Sequence, residues 1–386
     1  MKYWRGYLTA AILCVITVGF MQLADRYTAL VDMVYPYLTR TLQNFLAEWT
    51  APLDFALWQV LLVLALLVLM TTVVLMIVLK WNFVRWLGWV LAAVSMVWLL
   101  HTGVYGLNQF AGPLADDLRM DMAEFSGQDL EDATLYFRDQ ANAMALEMER
   151  DENGNLRYDS FAQLSEQAGT GYANLVENVY YSVFAGSTVG VKELAWADLY
   201  SAMGVTNVFF ALTGEVTVNP NLPSVALPYT MCHGIAHRMS ISSDTDAEFA
   251  AFLACYANEN AQFRYSAYFM AYRYCIQAME MAGSAEIAAA AARITTGVNA
   301  YLHSDLKASD AYFGNHYDKT ASNLFDTATE YYFSVTGGEL KDEEEVAVLL
   351  VNWYIQEQVL PYLDQEEITG FDPMDKDQVD ISDIVK

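Results

Sequence analysis

Two histidines four residues apart, His233 and His237 in the run HGIAH, are the side chains whose type and spacing most directly specify chemistry. Residues four apart on a helix lie one turn apart on the same face, so both imidazoles can address one metal ion. They form the frame of the zinc-protease signature H-E-x-x-H, whose glutamate serves as general base. Gly234 stands in the place of that glutamate. A positioned general base is typically worth about 10²–10⁴ in rate, and glycine has no side chain to supply it. Zinc sites in hydrolases commonly take three protein ligands, so a third must come from outside this helix. Asp246, nine residues past His237, is early on the next predicted helix, and Asp244 and Glu248 are rivals that spacing alone does not separate. For a replacement base, Glu215 is the first candidate and Glu248 the second. A bare H-x-x-x-H is a weak signal, because paired histidines on an amphipathic helix are often surface groups or satisfied core groups.

The elements that must position these residues are mostly helical. The β-branched and aromatic residues of 207–223, around Thr213-Gly214, predict a short hairpin or pair of strands. After Pro223 and Pro228 a helix over about 226–240 holds the histidines. The next helix covers 242–259, with Ser243 or Asp244 as N-cap. Further helices are expected at 117–150, 158–187, 192–203, 263–283, 285–302, 308–335 and 342–363. The run DENGN (151–155) reads as a plain turn, since it lacks the spacing of a calcium loop. Tyr265, Tyr268, Phe269 and Tyr272 repeat at i, i+3, i+4, i+7, the stripe of a core-facing helix; Tyr265 is also weighed as an oxyanion donor. Arg264 and Arg273 are expected to pair with carboxylates. His316 is read as a surface group with an outside role as a ligand or proton donor, and His101 and His303 belong to no motif.

The chain is apolar and acidic at once, and the two properties are separated along it. Of 20 basic and 47 acidic residues, only six and four precede residue 105, and the whole carries a net charge of −27. That balance excludes nucleic-acid binding and docking on anionic lipid. Three apolar runs, about 6–24, 55–79 and 86–106, are long enough to cross a bilayer. Trp81, Trp86 and Trp89 fit an interfacial aromatic belt. The first run lacks a good cleavage region and reads as an uncleaved anchor. Lys2 and Arg5, then Lys80 and Arg85, place the short flanks in the cytoplasm by the positive-inside rule, which leaves the long acidic region outside. The 25–54 connection reads as a tether with one amphipathic helix. Cys14 falls in the first span; Cys232, Cys255 and Cys275 have no CxxC spacing and read as small packing residues.

Val205 to Cys275 resembles an uncharacterised bacterial membrane family, the domain of unknown function 3810 (DUF3810). Its pattern, a TGEA-x-VN strand, a proline-rich link, a CHE-x-AH helix, an EAN-F helix and an FRYS block, reads here as TGEVTVN (213–219), LPSVALP (222–228), CHGIAH (232–237), DAEF (246–249) and FRYS (263–266). NHYDK (315–319) resembles a weaker downstream block. The resemblance implies a zincin-like fold, metal ligands at His233, His237 and Asp246, and TGEVTVN as the edge strand along which a peptide would pair. This chain departs from the pattern at Gly234, and at Asp246, where a shorter aspartate replaces glutamate.

The expectation is therefore a mainly α membrane protein, with three transmembrane helices in residues 1–106 followed by a helix-rich α+β zincin-like extracytoplasmic domain (107–370) carrying a short β-hairpin or edge strand, and an acidic tail (371–386). The function expected is that of a bacterial, membrane-anchored, degenerate metallopeptidase that binds zinc and a peptide or envelope protein but lacks the usual base. The alternatives are an active zinc-dependent peptidase using another carboxylate, and a structural membrane module without metal.

Overall fold

A computed structural model describes residues 4–179, 181–316, 318–320, 322, 323, 327 and 343–359. Four long helices come first: α1 (Arg5–Arg26), α2 (Thr28–Thr50), α3 (Leu57–Val78) and α4 (Phe83–Val104). Of these α1, α3 and α4 are long and apolar enough to cross a membrane, in agreement with the three spans read from the sequence. The helices α1 and α4 pack against each other where Gly6 meets the backbone of Gly88; a Cβ at Gly6 would collide with it. Helix α3, the most apolar at a mean hydropathy of 3.1 over its best window, buries none of that window within the chain. The expected amphipathic tether is α2, a single helix despite Pro36. It lies against α4, with Tyr35 Oη donating to Thr102 O (2.8 Å) and Gln43 Nε2 to Val104 O (3.2 Å).

The rest is a helical body around a small sheet: α5 (Leu114–Asp117), α6 (Gly127–Glu147), α7 (Phe161–Ala168), α8 (Thr170–Val179), β1 (Lys192–Glu193), α9 (Ala197–Ala202), β2 (Asn207–Phe210), β3 (Glu215–Val218), α10 (Leu227–Arg238), α11 (Asp244–Tyr256), α12 (Ala261–Met281), α13 (Ala285–Thr296), α14 (Ala300–His316) and α15 (Glu343–Tyr354), ending in a π turn at Ile355–Val359. Helix α6 begins ten residues later than periodicity predicts, because Ser126 and Asp129 close a capping box there. The expected single helix over 158–187 breaks into α7 and α8 at Gly169, whose Cα lies so close to Thr188 that a Cβ would meet its backbone at 2.5–2.9 Å. Helices α10 and α11 have apolar residues all round and are buried on nearly every side, as helices at the centre of a domain must be. The α12 stripe is core: Tyr265, Phe269 and Tyr272 are at most 2 % exposed. All four cysteines are free thiols, three of them fully buried.

The sheet order is β1-β3-β2. The hairpin β2–β3 is antiparallel and closes through Gly214, whose φ of +67° suits glycine. A Cβ there would also come within 2.7 Å of Ala47 N and Gln43 O, so Gly214 lets α2 lie directly on the turn. The strand expected at the edge is instead the central one. Two-residue β1 pairs with it in parallel, Lys192 opposite Thr217 and Glu193 opposite Val218, and all four β3 residues are buried. Both sides of the TGEVTVN backbone are thus occupied. Among the described residues, the edge of the sheet on the hairpin side belongs to β2 and pairs with no further strand. Asn219 N donates to Thr206 O, which fixes the alternation so that the main-chain groups of Asn207 and Phe209 point away from β3.

Candidate metal centre

Helix α10 presents His233 and His237 on one face, as the i, i+4 spacing requires. Their rings meet nearly perpendicular (85°), with Nε2 facing Nε2 at 3.0 Å. The chain leaves α10 through Ser240, in the left-handed region at φ +73°, and turns back at once. Ser243 caps α11 by accepting from Asp246 N, and Asp244 becomes the first residue of that helix. Its Oδ1 lies 3.1 Å from His237 Nε2 and 3.9 Å from His233 Nε2. These three residues form the one group among the described residues able to converge on an ion, with all ligand atoms within 4.8 Å of one another. A tetrahedral ion with bonds of about 2.0–2.1 Å needs ligand–ligand edges of about 3.3 Å, so the donor set and its spacing could hold a metal ion.

One of the two outward nitrogens is held by a hydrogen bond, as the outer nitrogen of a metal-ligating histidine usually is. His237 Nδ1 is 2.8 Å from Ile241 O; a carbonyl only accepts, so Nδ1 carries the hydrogen and the neutral ring keeps its Nε2 lone pair toward the centre. His233 Nδ1, otherwise without a hydrogen-bond partner, faces Glu248 Oε1 at 3.5 Å. Burial acts to lower the His237 pKa, but the hydrogen bond and charge of Asp244 outweigh it and hold it above the usual value. Burial likewise acts to raise the Asp244 pKa, and the hydrogen bond and charge of His237 bring it below the usual carboxylate range.

The same geometry places several of the other sequence candidates away from the two imidazoles. Asp246 is not brought to the imidazoles: its Oδ2 accepts from Leu114 N (3.1 Å) at the start of α5. Two residues along a helix rotate the side chain by about 200°, so Asp244 and Glu248 share the face that Asp246 leaves. Glu215, the first candidate base, is also engaged elsewhere. Its carboxylate accepts from Leu57 N (2.8 Å) and Trp58 N (2.9 Å), capping α3, and from Lys192 Nζ (2.8 Å). Arg264 donates to the carbonyls of Asn258 and Glu259 rather than to a carboxylate, whereas Arg273 does pair with Asp310 at 2.7 Å. Tyr265 donates to Asp305, itself held by both arms of Arg150, and is no oxyanion donor. His316 and His303 are exposed on α14; His316 bonds its own helix at Tyr312 O.

Gly234 is the most informative position. A Cβ built on it would overlap Val216 Cγ1 from β3. The volume where a side chain at 234 would begin is therefore filled by a valine.

The trio stands on the wall of an open cleft of about 1610 Å³ bounded by α2, the end of α4, α5, β2, α11 and α15. A family model described as protein of unknown function (DUF3810) matches residues 31–337, which include most of α2, the hairpin and the whole centre. The chain belongs to that family. No curated protein and no solved structure matches. In this DUF3810 chain the sequence reading missed what surrounds the trio: Val216 over Gly234, Ile241 as the carbonyl behind His237, and Tyr105, whose hydroxyl also donates to Ile241 O at 3.3 Å. His101, assigned to no motif, also lines the cleft. Asn207 and Phe209 follow from the β2 alternation, which sends both toward α10.

Proposed function

We propose that this membrane-anchored DUF3810 protein holds a divalent ion of the zinc type on His233, His237 and Asp244 and has given up hydrolysis, so that the centre serves binding at a membrane-proximal cleft. When bound, the ion supplies a Lewis-acidic anchor for a carbonyl or carboxylate oxygen. His233 and His237 would direct their Nε2 atoms at the ion, Ile241 O holds His237 from behind, and Asp244 completes the set. The single observation that carries the loss of hydrolysis is Val216: it occupies the start of the path a residue-234 base would take. The other carboxylate weighed as a substitute on the hairpin, Glu215, already accepts three hydrogen bonds from α3 and Lys192. Three apolar helices near the N-terminus support the membrane anchoring, and the convergence of the trio supports the ion.

The test is a metal count on the full-length chain purified in an uncharged detergent, paired with a peptide-hydrolysis assay on the zinc-loaded protein. Near one zinc per chain, lost in His233→Ala, with no hydrolysis above background, is the expected result. Zinc-dependent hydrolysis by the native Gly234 protein sinks the proposal, and so does an absence of zinc under loading conditions.

A further inference from the structure

The cleft is larger than the trio needs. Small-molecule sites run to about 300–1,000 Å³, and this one exceeds that range, which suits a polymeric ligand several residues long. Its walls are acidic. Besides Asp244, Asp246 and Glu248 on α11, they carry Asp32, Asp116, Asp117 and Glu345. Among the described lining residues there is one arginine and no lysine, and that arginine, Arg40, donates to the carbonyls of Ser182 and Val183. Loss of solvent, together with the neighbouring charges of Asp32 and Asp116, raises the Asp117 pKa against the opposing charge of Arg40. Carboxylates crowded in this way are relieved by an incoming cation. Asn207 and Phe209 line the same cleft and turn their main-chain groups to the free edge of β2. His233, with 9 % of its side chain exposed, lies on this wall too.

We propose that the cleft receives an extended basic peptide segment, its backbone alongside β2 and its lysine or arginine side chains on Asp32, Asp116, Asp117 and Glu345. The backbone supplies hydrogen bonds at the strand edge, and the charges supply selectivity and register. This rests on the reading above in one respect, that the trio is where a carbonyl or terminal carboxylate of the segment meets the ion. Exposed Met33 and Tyr37 on α2 line the same cleft, so the segment would also meet the helix that follows the first apolar run.

The probe is a fluorescent alternating Lys-Ala decapeptide, titrated onto the full-length zinc-treated chain in uncharged detergent, beside Glu-Ala and Ser-Ala decapeptides. The expected result is binding of the Lys-Ala peptide alone, weakened by added salt. Asp116→Asn with Asp117→Asn should weaken it about tenfold, two charge pairs' worth. Glu147→Gln with Glu149→Gln, exposed at and just past the C-terminal end of α6 and outside the cleft lining, should leave it unchanged. Methylating alternate backbone nitrogens of the peptide should also weaken it. Equal binding of all three peptides, equal loss in both double variants, or full competition by spermidine overturns the proposal. The zinc content of the same samples separates the two ideas. Zinc kept without selective peptide binding defeats only this inference, and peptide selectivity without zinc defeats only the metal reading.

Discussion

His233, His237 and Asp244 differ from their neighbours in where their atoms converge, and substitution should reveal that difference one residue at a time. Asp244→Asn is expected to weaken zinc binding by more than the 10–100-fold typical of residues that merely support a ligand, whereas Asp246→Asn, whose partner is Leu114 N, should leave zinc affinity within a few-fold. Equilibrium titration against a zinc-sensitive dye reads both; a larger loss in the Asp246 variant would reverse the assignment. The Gly234–Val216 contact makes a second prediction. Gly234→Ala pushes a methyl into Val216 and should destabilise by about 1–3 kcal/mol, the cost of overpacking. Val216→Ala should recover part of that loss when combined with it, so the two changes are expected to be non-additive in a thermal-denaturation cycle. Strict additivity would mean that the two side chains do not compete for one volume.

At the scale of elements, the hairpin does two jobs with the two faces of one strand. Val216 and Val218 turn toward α10 and the core, while Glu215 ties the start of α3 to Lys192. Trp58 stacks on Phe210 at 5.5 Å, and Gln59 exchanges hydrogen bonds with Ala195, so α3 is fastened at its first turn although its apolar length is bare. Glu215→Ala leaves the Lys192 ammonium buried without its carboxylate and uncaps two N–H groups. A loss of about 3–5 kcal/mol is expected, read as a lowered thermal midpoint of the full-length protein in detergent. A shift of under about 1 °C would show the pair to be dispensable. Much of this level was legible in the sequence: the three apolar helices, the hairpin, the histidine helix and the α12 stripe all announce themselves by period. The choice of Asp244 was within reach as well, since Ser243 as N-cap fixes the phase of α11 and sets Asp246 about 200° away. What could not be read was non-local. Two residues of β1 are too short for alternation to show, so β3 looked like an edge, and Glu215 looked available because its partners lie about 157 residues upstream at Leu57 and Trp58. The Val216–Gly234 contact is a meeting of strand and helix that no spacing encodes.

At the scale of the molecule, the N-terminal helices and the helical body share the centre. Thr39 on α2 bonds Ser240 Oγ at 2.8 Å, at the left-handed turn that returns α11 to α10. Tyr105, just past α4, holds the same carbonyl of Ile241 that orients His237. Gly214 rests on α2, and Glu215 on the first turn of α3. A fragment beginning at residue 107 would keep all three candidate ligands and lose each of these supports together. Leaving Lys192 and Glu215 without the N-terminus of α3 and the carbonyls of Thr50 and Phe55, and uncovering the surface under α2, removes on the order of 5 kcal/mol, which is comparable to the whole stability of many domains. The fragment is therefore expected to unfold at a much lower temperature than the full chain and to hold zinc at least tenfold more weakly, because the turn that positions Asp244 against the imidazoles has lost its brace. Comparing the two proteins by thermal denaturation and zinc titration in the same detergent decides the matter. A fragment with the full chain's midpoint and affinity would show that the N-terminal helices only tether the body, and that the contacts of α2 with Ser240 and Gly214 contribute nothing to the site.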